Sequence, residues 1–245
     1  MKNLKTRFGK LKVKENQKTK LVQNVFNDVT KKYDLMNDLM SFGAHRIWKK
    51  KFIQSMQIHS NELIIDMGSG TGDIAKNIKE KIPSTSIISV DLNLKMLEFS
   101  QKKLAKISKK IFWINSNAET LPFSDNLFDK YIISFCLRNI TNIEKALYEA
   151  KRILKPGGIF YCLEFSTPRS PIVKILYNLY KSNIIPNIGK YAANNKDAYR
   201  YLEESISQFP KQEILSKKLN QIGYTNVSVI DMFNGIVAIH KGFKT

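Results

Sequence analysis

The run Asp66-Met67-Gly68-Ser69-Gly70-Thr71-Gly72-Asp73 concentrates more potential chemistry than any other stretch of the chain. Glycines at 68, 70 and 72 let the backbone turn sharply and approach a ligand with no Cβ in the way. Set between a strand and a helix, such a run leaves the first helical amides aimed at whatever binds. Asp91 follows Gly72 by 19 residues, where a second strand ends, and a carboxylate there can accept hydrogen bonds from both ribose hydroxyls. The spacing differs from the dinucleotide fingerprint G-x-G-x-x-G, and Asp73 at the helix start would oppose a pyrophosphate. It would tolerate the cationic sulfonium, amine and zwitterionic tail of S-adenosylmethionine, and a nicotinamide-dependent oxidoreductase is disfavoured. A tight turn without a ligand is the structural alternative.

The surrounding residues must form the elements that hold this loop. Leu63 to Met67 is a short apolar run feeding the glycines, and residues 73–81 read as a helix stopped by Pro83. Strands are expected at Ile87 to Asp91, Ile111 to Ile114, Tyr131 to Phe135 and Ile159 to Leu163, with helices over 94–107 and 142–154 and a turn at Lys155-Pro156-Gly157-Gly158. Strands alternating with helices imply crossover connections and a mostly parallel sheet. A helix over 211–222 and two strands, 225–230 and 235–240, joined near Asn234-Gly235 as an antiparallel hairpin, complete the expected single α/β domain. Residues 18–57 read as a helical cap, with 33–43 a loop or short helices and 46–57 an amphipathic helix. Residues 166–210 interrupt the rhythm as an insertion suited to a lid.

Composition narrows the class. Forty Lys and Arg against 21 Asp and Glu give a net charge of +19. Two readings account for it: drift in a Lys-, Ile- and Asn-rich composition, or a basic face for anionic partners. Two cysteines exclude a disulfide framework, and His45, His59 and His240 make no metal-ligand spacing, so no metal is expected. No run of about 18 apolar residues is present to span a bilayer. The first twenty residues carry eight Lys or Arg and one acid, with no apolar core of a secretory signal, so residues 1–17 read as a solvated basic arm on a cytoplasmic protein.

The glycine run, Asp91, Asn117-Ala118-Glu119-Thr120-Leu121-Pro122-Phe123 and Leu154 to Gly158 resemble the class I S-adenosylmethionine methyltransferases. The segments 33–49 (Y-D-L-M-N-D-L-M-S-F-G-A-H-R-I-W-K), 133–139 (I-S-F-C-L-R-N), 163–166 (L-E-F-S) and 199–206 (Y-R-Y-L-E-E-S-I) resemble the quinone-ring C-methyltransferases of the UbiE/COQ5 family, from about Phe8 to Lys244. The resemblance implies a Rossmann-like, seven-stranded, mostly parallel sheet with an antiparallel last strand. It also implies cofactor contacts at Asp66, Gly68, Gly70, Thr71, Asp91, Asn117, Ala118 and Ser134. The implied acceptor is the ring of a prenylated quinol, a 2-methoxy-6-polyprenyl-1,4-benzoquinol, a demethylmenaquinol or both.

Carbon is a weak nucleophile unless its ring is electron-rich, as a quinol ring is once a hydroxyl loses its proton. Arg138 is the expected phenolate stabiliser or water-ordering group, Asn139 an orienting donor, and His45 the side chain with a pKa suited to proton work. The structural alternatives are a helix N-cap at Asn139 or Thr141, a surface ion pair at Arg138 and a purely structural His45. Tyr33, Asp34 and Asn37 are cap residues near the pocket, Tyr199 and Tyr201 candidate walls of the ring site, and the Met and Leu stripe at 35–40 a core feature. A basic face with the apolar stretch 172–185 is expected to contact anionic lipid at the inner face of the cytoplasmic membrane. Other quinone-synthesis proteins and a second copy of the chain are further expected partners, and nucleic acid is not. An RNA methyltransferase and a non-catalytic scaffold are the rival readings. The first lacks a recognised RNA-binding motif here, and the second conflicts with intact cofactor positions.

Overall fold

The structure, a computed structural model, describes residues 5–106, 111–180 and 196–245. Two short strands, β1 (Lys5–Phe8) and β2 (Leu11–Lys14), pair antiparallel ahead of α1 (Glu15–Val29). Of the residues 1–17 read as a solvated arm, 5–14 are thus a hairpin and 15–17 open α1, while 1–4 lie outside the described residues. Gly9 and Lys10 supply its two-residue turn, with Gly9 at φ 55°. The cap continues through α2 (Tyr33–Ser41) and α3 (Ala44–Ser55). The segment 33–43 is therefore mainly helical, its turn made at Phe42 and Gly43, both with positive φ.

The sheet is built from β3 (Leu63–Met67), β4 (Ser86–Asp91), β5 (Ile111–Asn115), β6 (Phe128–Ser134), β7 (Leu154–Phe165), β8 (Tyr224–Met232) and β9 (Val237–Lys244). Its order is β5-β4-β3-β6-β7-β9-β8, and β9 runs antiparallel to both its neighbours, β7 and β8, while the other pairs are parallel. β3 is an interior strand, with Ile64 and Ile65 both fully buried, as a strand covered on both faces requires. The strand order reverses there, so the carboxyl ends of β3, β4 and β6 open onto the crevice where such sheets take ligands. Lys155 to Gly158 form no separate turn. They are a bulge within β7, where the pairing shifts between Phe128–Leu154 and Lys130–Ile159.

Helices α4 (Asp73–Lys81), α5 (Leu94–Leu104) and α6 (Ile143–Ile153) are the crossovers. Asn93 caps α5 through the Met96 amide, and Asn142 caps α6 through the Lys145 amide. Neither Asn139 nor Thr141 is that cap. Beyond β7 come α7 (Pro171–Leu179), α8 (Lys196–Gln208) and α9 (Gln212–Ile222). Residues 181–195, with Pro186 and Gly189 of the expected lid, and Ile107 lie outside the described residues. One apolar core fills the space between the sheet and α6 and α9, and another the space under α3 and α4. A third, smaller cluster of Val29, Met36, Met40, Ala198 and Tyr199 fastens the cap to α8.

Candidate functional site

The loop after β3 is shaped by close packing. Gly68 has φ 67°, and a Cβ there would sit 2.2 Å from Cys136 Sγ, so both conformation and space demand glycine. The Gly68 and Ser69 amides donate to the Val90 carbonyl at 2.7 and 3.1 Å, which fastens the loop to β4. The Gly70 amide donates to Asp91 Oδ2 (2.9 Å) and the Asn93 amide to Asp91 Oδ1 (2.8 Å). These bonds fix the carboxylate while leaving lone pairs on each oxygen. Burial nevertheless raises the Asp91 pKa above the ordinary value, against the pull of the amides.

Two cavities meet over this loop. The smaller, about 100 Å³, is bounded by Asp91, Met96, Asn117, Ala118 and Asn139, and α1 lies across it through Thr19, Val22, Gln23 and Phe26. The Gln23 amide donates to the Leu92 carbonyl (3.2 Å), and Asn93 donates back to the Gln23 carbonyl (3.2 Å). The larger, about 430 Å³, is walled by His45 and Trp48 of the cap, Asp66 and Thr71, Arg138, and Val173, Leu176 and Tyr177 of α7. Tyr33, Gly68, Gly70, Ser134 and Phe135 face both. Phe135 holds φ 52°, a costly conformation for a bulky residue, at the point where the cavities join.

The larger cavity carries an unusual set of unsatisfied groups. His45 Nδ1, Trp48 Nε1, Asp66 Oδ2, Ser69 Oγ, Ser134 Oγ and Arg138 Nε are all buried without a hydrogen-bond partner, and all six residues line it. Buried polar atoms are normally paired, so this concentration marks a place prepared for a polar ligand. Burial pushes Asp66 up to about 7, opposed by Lys49, although it accepts from the Ala75 amide. An oxygen so placed favours a cation arriving beside it.

Asp73 does not serve that role directly. Lys49 (3.0 Å) and Lys103 (3.1 Å) neutralise it, and Lys103 also meets Asp34 at 2.6 Å. The repulsion expected between Asp73 and a pyrophosphate is therefore screened by two lysines, and Asp66 and Asp91 carry the preference for a cationic nucleoside. Thr71 donates to Asp34 Oδ1 at 2.6 Å, tying the loop to the cap.

Arg138 is no surface ion pair. Its Nη1 bonds both Glu164 oxygens at 3.0 and 3.1 Å and the Phe135 carbonyl at 2.5 Å, and Glu164 is almost fully buried. Burial works to remove the guanidinium proton, but Glu164 outweighs it and keeps the arginine charged. Asn139 lines the smaller cavity and accepts from the Tyr201 hydroxyl at 3.0 Å. His45 Nε2 bonds Asp38 Oδ1 at 2.8 Å, and Arg46 grips the same carboxylate through two bonds of 2.7 Å. With Nε2–H donated to that anion, Nδ1 is the free acceptor. Burial, aided by Lys49, lowers the His45 pKa, so the ring is neutral at pH 7.

The eleven residues expected from the sequence to act in catalysis or to contact the cofactor all border one or both cavities, as do Tyr33 and Asn37, while Asp34 borders neither. Tyr199 and Tyr201 do not wall the ring site. Squeezed between hairpin and cap, α8 buries Tyr199 in the cluster with Met36 and Met40, and Tyr201 behind Asn139. Sequence reasoning missed Glu164, Lys49 and Lys103 as partners of site residues. Only the L-E-F-S segment at the end of β7 offered a signal, a carboxylate inside an apolar strand. Among the described residues no cluster of three or more His, Cys, Asp or Glu could hold a metal ion, and no helix is long and apolar enough to cross a membrane.

A model of the ubiE/COQ5 methyltransferase family matches residues 10–244. The chain belongs to that family. It is 47% identical over 246 residues to the ubiquinone/menaquinone biosynthesis C-methyltransferase UbiE of Rickettsia prowazekii, covering 98% of each. To the UbiE of Zymomonas mobilis it is 44% identical over 241 residues, covering 98% of this chain and 99% of that one. Its fold matches a SAM-dependent methyltransferase of Aquifex aeolicus (TM-score 0.62, 15% identity, 88% of this chain and 97% of that one). It also matches phosphoethanolamine N-methyltransferase 2 of Haemonchus contortus, solved with S-adenosyl-L-methionine (TM-score 0.60, 13% identity, 80% and 52%). The ubiE/COQ5 chain therefore has a class I methyltransferase fold.

Proposed function

We propose that this chain is an S-adenosylmethionine-dependent C-methyltransferase that methylates the ring of a prenylated quinol in ubiquinone or menaquinone synthesis. The observation that carries the reading is identity of 41–47% over nearly the whole chain to proteins named for that activity. The donor set fits the cofactor. Asp91 would take the ribose hydroxyls, Asn117 and Ala118 would border the adenine, and the orphaned Asp66 oxygen, with the Gly68 to Thr71 loop, would receive the cationic amino acid end. Bound S-adenosylmethionine supplies an electrophilic methyl group on sulfur.

The chain's own groups prepare the acceptor ring. His45 Nδ1, oriented by Asp38, takes a proton from a ring hydroxyl, and Arg138, held by Glu164, turns its unpartnered Nε–H toward the resulting oxyanion. Ser134 faces both cavities and Asn139 the smaller one, which puts them beside the place where ring and methyl group would meet. Walls of Trp48, Phe135, Phe165 and Leu176 exclude water and suit a ring with an apolar tail.

The tail accounts for the character of α7. Val173, Leu176 and Tyr177 line the larger cavity, while Ile172, Ile175 and Leu179, at spacings of three and four, are more than half exposed and line neither cavity. We read that outer face, with the +19 charge, as a peripheral contact with anionic lipid through which the tail enters. Radiolabelled methyl incorporation into a benzoquinol, a demethylmenaquinol and bulk RNA tests the substrate. Labelled quinone with unlabelled RNA is expected, and failure with both quinols overturns the proposal. Quinone profiles of cells lacking the protein then separate the two rings by the precursor that accumulates.

A further inference from the structure

The N-terminal hairpin is joined to the reaction site by a short chain of contacts. Phe8 of β1 stacks on Tyr201 of α8, ring centroids 4.4 Å apart and planes within 16°. Around that stack, Arg7 donates to Gln208 (2.5 Å), the Lys10 amide to Glu204 (3.0 Å) and the Thr6 hydroxyl to the Thr141 carbonyl (3.3 Å). The last of these contacts reaches the loop that carries Arg138 and Asn139. Tyr201, 6% exposed, then donates its hydroxyl to Asn139 Oδ1 at 3.0 Å.

A carboxamide has two faces of opposite character, and a donor fixed on its oxygen decides which way the nitrogen points. Among the described residues nothing accepts a hydrogen bond from Asn139 Nδ2, and Asn139 borders the smaller cavity beside Ser134 and Cys136. The amide donors are thereby left for a ligand in the smaller cavity beside Ser134, which faces both cavities. Burial raises the Tyr201 pKa above the tyrosine range, with Arg138 opposing, so the hydroxyl stays a donor at every working pH.

We infer that Tyr201 is a positioning residue that sets the orientation of the Asn139 amide, and that the β1–β2 hairpin is a strap holding Tyr201 in place, so that residues 5–14 govern the rate of methyl transfer from outside the site. This rests on the proposed quinol methylation and names parts of its machinery that touch neither ring nor cofactor.

Tyr201→Phe keeps the ring and its stack on Phe8 while removing the one hydroxyl. It is expected to lower kcat on a short-tailed quinol roughly tenfold, the scale of one lost orienting hydrogen bond. The quinol KM and the affinity for S-adenosylhomocysteine should stay within about twofold, and the pH profile of kcat should keep its shape. Phe8→Ala is expected to lower kcat roughly threefold or more, and Phe8→Tyr to restore it. The double variant should fall no further than Tyr201→Phe, because both act through one link. Wild-type kcat in Tyr201→Phe overturns the inference, as does a loss confined to cofactor affinity or a shifted pH profile. Effects that multiply in the double variant, or a Phe8→Ala protein that loses melting temperature but not kcat, overturn the strap. Wild-type protein inactive on both quinols would instead overturn the proposed function.

Discussion

A carboxylate with one oxygen unpartnered and buried beside a glycine loop is an uncommon thing to keep, and Asp66 is such a group. Desolvation carries it to about 7, with Lys49 pulling the other way. The folded chain therefore holds this proton more tightly than the unfolded one. The contribution of Asp66 to stability is complete below about pH 4 and declines as pH rises through 7. A cationic ligand inverts the preference, so binding at pH 7 must release a substantial fraction of a proton. Calorimetry of S-adenosylmethionine binding in two buffers of different ionisation enthalpy should show that release, and Asp66→Asn should abolish it and weaken affinity at least tenfold. The place of Asp66 was legible because its neighbours in sequence are also its neighbours at the cavity. Glu164 was not: it meets Arg138 across 26 residues, and nothing in a single strand announces a partner in the turn that follows its neighbour. The same holds for Asp73, whose lysines arrive from α3 and α5.

At the level of elements, the central strands could be read directly, because buried parallel strands are short apolar runs ended by turn residues. Two elements escaped. The hairpin of 5–14 is rich in lysine and lacks a buried face of its own. Its pairing is supported by α8, almost two hundred residues later, which no local pattern reveals. The bulge at Lys155 to Gly158 reads as a turn because its glycines and proline are turn residues, yet Leu154 already pairs with Phe128. Helix α7 is the element whose composition and environment disagree most, since it is apolar on nearly every side and none of its residues is buried. Ile175→Lys with Leu179→Lys should abolish flotation with phosphatidylglycerol vesicles at low salt. It should also raise KM for a long-tailed quinol several-fold while leaving a short-tailed one unchanged. Equal loss with both tails would show that the outer face of α7 has no part in tail uptake.

For the molecule as a whole, the net charge of +19 says little about the fold, and the ion pairs that organise the site are local and nearly balanced. The fold class was legible from the alternation of strands and helices. The joining of cap, hairpin and α8 around the strand ends was not, since it depends on contacts such as Val29 and Met36 with Tyr199. One consequence concerns α1, which lies over the smaller cavity and is bonded to the Leu92–Asn93 segment in both directions. An adenosine seated there cannot be exchanged until that helix parts from the strand ends. Spent nucleoside should then depart more slowly than chemistry proceeds. Rapid-quench measurements should record a burst of one methylated ring per enzyme before the linear phase, and Gln23→Ala should quicken that linear phase while leaving the burst rate as it was.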